Sequence, residues 1–244
     1  MDLGLSGNVA IVTGASRGIG LAVVRALVAE GVRVVAGARS SSAELETLAR
    51  HNSVDIVPVD LATAVGPAQL VARAGDRVDI LVNNVGGSVP RPGGFLDVTD
   101  EQWSASIAIN LMAAIRTTRA VLPRMLSAGS GSIVNVASVN AWLSDPGIVD
   151  YCAAKAGMWS FAKALSKEVS PRGIRVNTVA PGPVDTRRWQ DAEVRAAVTS
   201  RLLTGRLTRP EEVADVVLML ASNRRSGNTT GSTVTLDGGA VTTL

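Results

Sequence analysis

The chain has 244 residues, 46% hydrophobic and 18% charged, with a formal net charge of +3. That is enough apolar material for one α/β domain or two small ones. The arginines are scattered, with no basic run and no interleaved aromatics, which argues against a nucleic-acid partner or a membrane surface. Cys152 and His51 are the only cysteine and histidine. An internal disulfide is thereby excluded, and no Cys/His metal spacing exists. A Ser-His-Asp hydrolase would have to use His51, which sits in a polar stretch and reads as a solvated surface residue. The first basic residue is Arg17 and the first apolar stretch breaks at Gly14, so no signal peptide is predicted. No apolar run approaches the ~20 residues that span a bilayer, and the expected location is cytoplasmic.

In chain order, short β-branched runs alternate with helical patterns. Strands are predicted at Val9–Thr13, Arg33–Gly37, Ile56–Val59, Asp79–Asn83, Ser132–Ala137, Arg175–Ala180 and Thr233–Leu236. Helices are predicted near 18–30, 42–51, 65–75, 99–127, 150–170 and 209–222. The strands are near-continuous apolar runs, as expected where both faces of a sheet are covered. Seven strands alternating with six helices predict a single α/β domain over 1–244, a doubly wound (Rossmann) parallel sheet. Residues 181–208 show no clear element. A long segment after a sheet strand is a candidate substrate lid, here about 182–208.

The first strand runs into "TGASRGIG", with Gly14, Gly18 and Gly20 leading into the first helix. Glycines there permit a tight turn and let a pyrophosphate approach the helix N-terminus. No Gly-Lys-Ser/Thr follows, which excludes a P-loop. The second strand ends in Ala38, where an acidic residue would bind ribose hydroxyls, and Arg39 and Ser40 follow. With Arg17 in the loop, these groups suit a 2′-phosphate, so NADP(H) is preferred and NAD(H) possible. Arg39 also reads as a solvated loop residue. Asp60 reads two ways, as a partner of the adenine amine or as the N-cap of the next helix.

Tyr151 is the only tyrosine and lies four residues before Lys155, on one helix face. A Y-x-x-x-K spacing alone is equally two residues sharing a face. The ordered set decides: "TGASRGIG" (13–20), "NNVGG" (83–87), Asn110 in "IAINL", Ser138 in "NVASVN", "YCAAK" (151–155) and "APGPVDT" (180–186). Together these motifs resemble the short-chain dehydrogenase/reductase family, over essentially the whole chain. The resemblance implies hydride transfer between a nicotinamide cofactor and a carbonyl or secondary alcohol. It implies Tyr151 as general acid/base, Lys155 lowering the phenol pKa and binding ribose, and Ser138 donating to the substrate oxygen. Asn110 would hold a water that links the lysine to solvent. It carries cofactor binding onto Gly14, Ser16, Arg17, Gly18, Ile19, Gly20, Arg39, Ser40, Asp60, Leu61, Asn84, Gly86, Pro181, Gly182, Val184 and Thr186, beside Tyr151 and Lys155. It implies no metal. Val85 departs from the alanine usual in the Asn-Asn-Ala-Gly motif. Family members are commonly homotetramers or homodimers, and the C-terminal "TLDGGAVTTL" and the Tyr151 helix are plausible interface elements.

The pocket should be lined from loops at the carboxyl ends of the strands: Gly87, Ser88, Asn140, Trp142, Gly147 and Trp189. Trp142 and Trp189 suit an apolar or ring-bearing substrate, or the core or an interface instead. Arg187 and Arg188 would meet an anionic substrate or solvent. A 3-oxoacyl-carrier-protein reductase and a non-catalytic NADP sensor are the alternatives to a general carbonyl reductase.

Overall fold

The computed structural model describes residues 2–50 and 53–241. The surface placement expected of His51 falls outside them, as do the last three residues of the C-terminal segment. Seven strands, β1 (Val9–Thr13), β2 (Arg33–Ala38), β3 (Val54–Pro58), β4 (Ile80–Asn83), β5 (Gly131–Val136), β6 (Ile174–Pro181) and β7 (Thr233–Leu236), form one sheet in the order β3-β2-β1-β4-β5-β6-β7. All neighbours are parallel. The chain builds outward from β1 to β3, then returns to lay β4 on β1's other side. The two carboxyl ends at that reversal diverge, and a ligand crevice opens between them.

Alternation along each strand, two residues per repeat, divides the core between the sheet's faces. Ala10, Val12, Val34, Ala36, Ile80, Val82, Val134 and Val136 pack with Leu21, Val24, Leu27, Val213 and Val217. These last belong to helices α1 (Gly18–Ala29) and α8 (Pro210–Ala221). Ile11, Val35, Leu81 and Ile133 face the other way, onto Leu70, Val121, Met125 and Leu165. Those lie on α3 (Gly66–Arg73), α5 (Ala113–Ala128) and α6 (Val149–Val169). The predicted doubly wound sheet is therefore the observed one, with α2 (Ala43–Ala49) beside β3.

Two expectations are corrected. Residues 99–127 do not form one helix: α4 (Asp100–Ile107) and α5 are joined by a π-turn over Ala108–Met112. A π-turn inserts one residue and rotates the side chains that follow, and Asn110 sits inside it. The start is sharp because Thr99 and Gln102 form a capping box. Residues 181–208 are not devoid of elements. A 3₁₀ turn at Arg187–Trp189 precedes α7 (Ala192–Thr199), whose first amides are capped by Asp191 at 3.0 Å. The Asp191 cap was the legible signal. A short α9 (Asn223–Ser226) follows α8. No helix among the described residues is long and apolar enough to cross a membrane.

Candidate active site

The glycine loop is built by close approach. Gly14 turns at φ +67°, and its N–H donates to the Gly37 carbonyl at 2.8 Å. A Cβ on Gly20 would lie 2.2 Å from the Gly14 carbonyl oxygen. Only glycine lets α1 start this near the turn. Thr13, which the sequence reading did not single out, ties the loop to the end of β4. Its Oγ1 accepts from the N–H groups of Asn84 at 2.8 Å and Val85 at 3.0 Å and donates to the Val82 carbonyl. The Asn84 amide donates back to the carbonyls of Thr13 (2.9 Å) and Gly14 (3.1 Å). Asn84 therefore shapes the loop with its side chain. Its signal was a buried hydroxyl residue closing a strand directly before glycine. The first turn of α1, which begins with Gly18 and Ile19, has no acidic residue and no side-chain cap. Its amides remain free for an anion.

Arg17, Arg39 and Ser40 are exposed and Ser16 half-buried. Among the described residues neither Arg17 nor Arg39 is engaged in an ion pair. Asp60 does not cap α3, which corrects one of its two readings. Its carboxylate accepts from the Ala62 N–H at 3.0 Å, and the helix begins only at Gly66, after Val65. The short polar turn between them takes the cap for itself. Asp60 stays exposed next to buried Leu61.

On the far side of the crevice, Tyr151 and Lys155 lie one turn apart on α6, with the Lys155 Nζ 5.8 Å from the Tyr151 ring centre. Lys155 is buried, and burial lowers its ammonium to about 8. Its Nζ donates to the Val136 carbonyl at 2.9 Å. Burial raises the Tyr151 phenol above its ordinary value, while a hydrogen bond with Ser138 and the Arg188 charge pull the other way. The lowering expected from Lys155 together with the oxidised nicotinamide belongs to the cofactor-bound site, and in the free protein the shift is upward. Desolvation dominates, and the ammonium is turned to Val136. Ser138 follows β5, and its hydroxyl donates to the Asn140 side-chain oxygen at 3.1 Å. Asn110, rotated inward by the π-turn, donates to the Gly87 carbonyl at 3.0 Å and accepts the Gly87 N–H at 2.8 Å. A Cβ on Gly86 would meet the Asn110 Oδ1 at 2.6 Å and the Lys155 Nζ at 3.3 Å. Amide, ammonium and glycine backbone therefore meet at one point.

These residues fit a dinucleotide. A pyrophosphate cradle that any Cβ would fill lies on one side, and a lysine and a phenol on the other. The family model described as enoyl-(acyl carrier protein) reductase matches residues 14–241. L-xylulose reductase of Bos taurus is 39% identical over 252 residues, covering 100% of both chains. The chain belongs to the short-chain dehydrogenase/reductase family. It is also 38% identical to the 3-oxoacyl-[acyl-carrier-protein] reductase of Synechocystis sp., over 97% of this chain and 98% of that one. L-sorbose reductase from Gluconobacter frateurii, solved in complex with NADPH and L-sorbose, superposes with a TM-score of 0.92 at 32% identity, covering 100% of both chains.

As a short-chain dehydrogenase/reductase, the chain is an oxidoreductase, and the region after β6 reaches back to the glycine loop. Pro181 is buried, and a Cβ on Gly182 would lie 2.8 Å from the Asp237 Cα. Val184 bridges to Thr208, which joins the two ends of the 182–208 segment. The Thr186 methyl stands 3.4 Å from where a Gly18 Cβ would be, directly over the glycine loop. Arg188 donates to the Ser88 hydroxyl, and its guanidinium lies 5.4 Å from the Trp189 ring centre. Trp142 packs edge-on against Trp159 on α6 at 6.1 Å. That contact gives its ring a packing partner and removes one support for a ring-bearing substrate.

Proposed function

We propose that the chain reduces small hydroxyl-bearing ketones with NADPH. The observation that carries this reading is the convergence of Tyr151, Ser138, Lys155 and Asn110 beside a glycine cradle. Two similar proteins are named reductases of the ketoses L-xylulose and L-sorbose, and one of them was solved with NADPH. The groups linked to Tyr151, namely Ser138, Asn140, Arg188 and Ser88, are hydrogen-bonding ones suited to hydroxyls.

In this reading Gly14, Ser16, Gly18, Ile19 and Gly20 would hold the pyrophosphate, and Arg39, Ser40 and Arg17 the 2′-phosphate. Asp60 and Leu61 flank the adenine. Asn84 and Gly86 support the ribose side, and Pro181, Gly182, Val184 and Thr186 the nicotinamide. NADPH held there would supply the hydride for the carbonyl carbon, so that negative charge would build on the carbonyl oxygen. Ser138 donates a hydrogen bond to that oxygen. Tyr151, kept neutral by burial, delivers its phenolic proton there. Lys155 stabilises the phenolate left behind, and Asn110 fixes the Gly86–Gly87 backbone against it. The 182–208 segment acts as lid. The protein works as a cytoplasmic homotetramer or homodimer.

A second reading, reduction of 3-oxoacyl groups on a carrier protein, draws on the Synechocystis relative at nearly the same identity. The test is NADPH consumption with L-xylulose, L-sorbose and a 3-oxoacyl thioester, against a Tyr151→Phe control. Turnover of the sugars that the control loses by about 10²-fold or more supports the first reading. Turnover of the thioester alone replaces it with the second. Turnover that survives in the control removes Tyr151 from the mechanism.

A further inference from the structure

One buried ion pair has no part in the chemistry above. The Arg91 guanidinium meets the Asp150 carboxylate at 2.5 Å, with side-chain exposures of 12% and 2%. Taking two charges out of water gives little net stability relative to well-packed apolar residues, so such a pair is weak grounds for a stability role. Its location offers another role. Asp150 is the residue before Tyr151, in the first turn of α6, where the helix dipole favours an anion. Burial pushes its carboxyl up, but Arg91 and nearby backbone N–H groups hold it below the usual carboxylate range.

Arg91 belongs to the loop that leaves β4, and that loop is held at Gly87, Ser88 and Arg91. Gly87 is held by Asn110, and Ser88 accepts from Arg188 of the lid. The Arg91 N–H donates to the Gly147 carbonyl, just before α6, at 2.8 Å. A cavity of about 280 Å³ is lined by Arg91, Asp150, Asn110, Ser106, Gln102 and Ile109, among others. Arg91 Nε and Asp150 Oδ1 keep no protein partner. Without the ion pair, little except backbone contact would hold the loop to the start of the helix across this gap.

We propose that the buried Arg91–Asp150 ion pair is a positioning device that sets the Tyr151 end of α6 against the Gly87–Ser88 wall of the substrate pocket. The inference rests on the reductase reading for its kinetic consequences. Its geometric content is independent of that reading, because Tyr151 is the only tyrosine and reports alone in an NMR spectrum of ring-labelled protein.

The experiment compares wild type, Arg91→Met, Asp150→Asn and Arg91→Lys. Arg91→Met and Asp150→Asn are expected to shift the tyrosine signal and lower kcat by roughly 10- to 100-fold, since small misplacements of a reacting group are costly. NADPH affinity should stay within about twofold, because neither residue lies at the cradle. Arg91→Lys, which keeps the single charged contact, should return both signal and kcat most of the way. An unmoved tyrosine signal in Arg91→Met overturns the proposal, as does equal loss of kcat and NADPH affinity in the Met and Lys variants. If Arg91→Met does not fold, the tyrosine signals of Asp150→Asn and Arg91→Lys decide: a shifted Asn variant beside a wild-type-like Lys variant supports the device, and any other pattern overturns it. If wild type turns over no carbonyl, the reductase reading fails, while the tyrosine signal still decides this one.

Discussion

Lys155 is the residue at which stability and function conflict most openly. It is 2% exposed, and burial lowers it to about 8 from 10.5. Below pH 8 it carries a proton both folded and unfolded, and folding bears the full cost of burying that charge. Between pH 8 and 10.5 the unfolded chain binds a proton that the folded chain does not, so stability rises with pH. Above 10.5 both states are neutral and the penalty is gone. Lys155→Met should therefore stabilise the cofactor-free protein near pH 7 by up to about 3 kcal/mol. Part of that gain is offset by leaving the Val136 carbonyl unpaired. Denaturant melts at pH 7 and pH 10.5 should show the gain shrinking at the higher pH. Tyr151 runs the opposite way. With its phenol raised above the ordinary 10.0, it stays protonated through neutrality. Ketone reduction should hold constant from pH 6 to about 7 and fall above pH 8, where Lys155 loses the charge that stabilises the phenolate, whereas alcohol oxidation, which needs the phenolate, should climb with pH up to there. Initial rates in both directions across that range are the check. The Tyr151–Lys155 pair was legible from its spacing and from its place in an ordered set of motifs. The upward shift of the phenol in the free protein was not, because it depends on how much of the ring is buried and on where the ammonium points.

Among elements, the junction of β1 and β4 shows how a strand end becomes a site. The Thr13 hydroxyl satisfies two N–H groups at the head of the loop after β4, and the Asn84 amide returns two bonds to the glycine loop. Thr13→Val preserves the shape and strands both N–H groups in a part-buried place, at about 1–3 kcal/mol each. The expected result is a lower melting temperature together with NADPH binding weaker by about tenfold or more, read by thermal denaturation and cofactor titration. Gly20 belongs to the same junction. Its need for glycine comes from the Gly14 carbonyl 2.2 Å from the position of a Cβ, a contact between residues six apart that motif spacing implied without explaining. The π-turn at Ala108–Met112 was not legible. The local sequence favours continuous helix, and the two bonds between Asn110 and Gly87 supply a reason to insert a residue.

Across the whole molecule, the sheet reversal between β1 and β4 places Arg39 and Arg17, exposed and without an ion pair among the described residues, on the side that would meet the adenosine. In the proposed reading, cofactor choice is a surface property of one edge of the crevice. Arg39→Asp should weaken NADPH binding by at least about tenfold and leave NADH unchanged, since a carboxylate repels the 2′-phosphate and accepts from ribose hydroxyls. Thermal shifts with each cofactor measure this through linkage of binding to stability. By itself the sequence determined the strand count, the parallel sheet and the glycine-rich turn from β1 into α1, because each rests on local periodicity or on residues spaced within a short stretch, and it pointed to the candidate catalytic set through an ordered series of motifs along the chain. Only the tertiary structure decided that Asn84 and Thr13 bind each other, that Asp60 leaves α3 uncapped, that Trp142 lies against Trp159 and that Arg91 reaches Asp150. The three side-chain contacts among these join residues from 17 to 71 positions apart, and their distance in space is set by the packing of the sheet and helices between them.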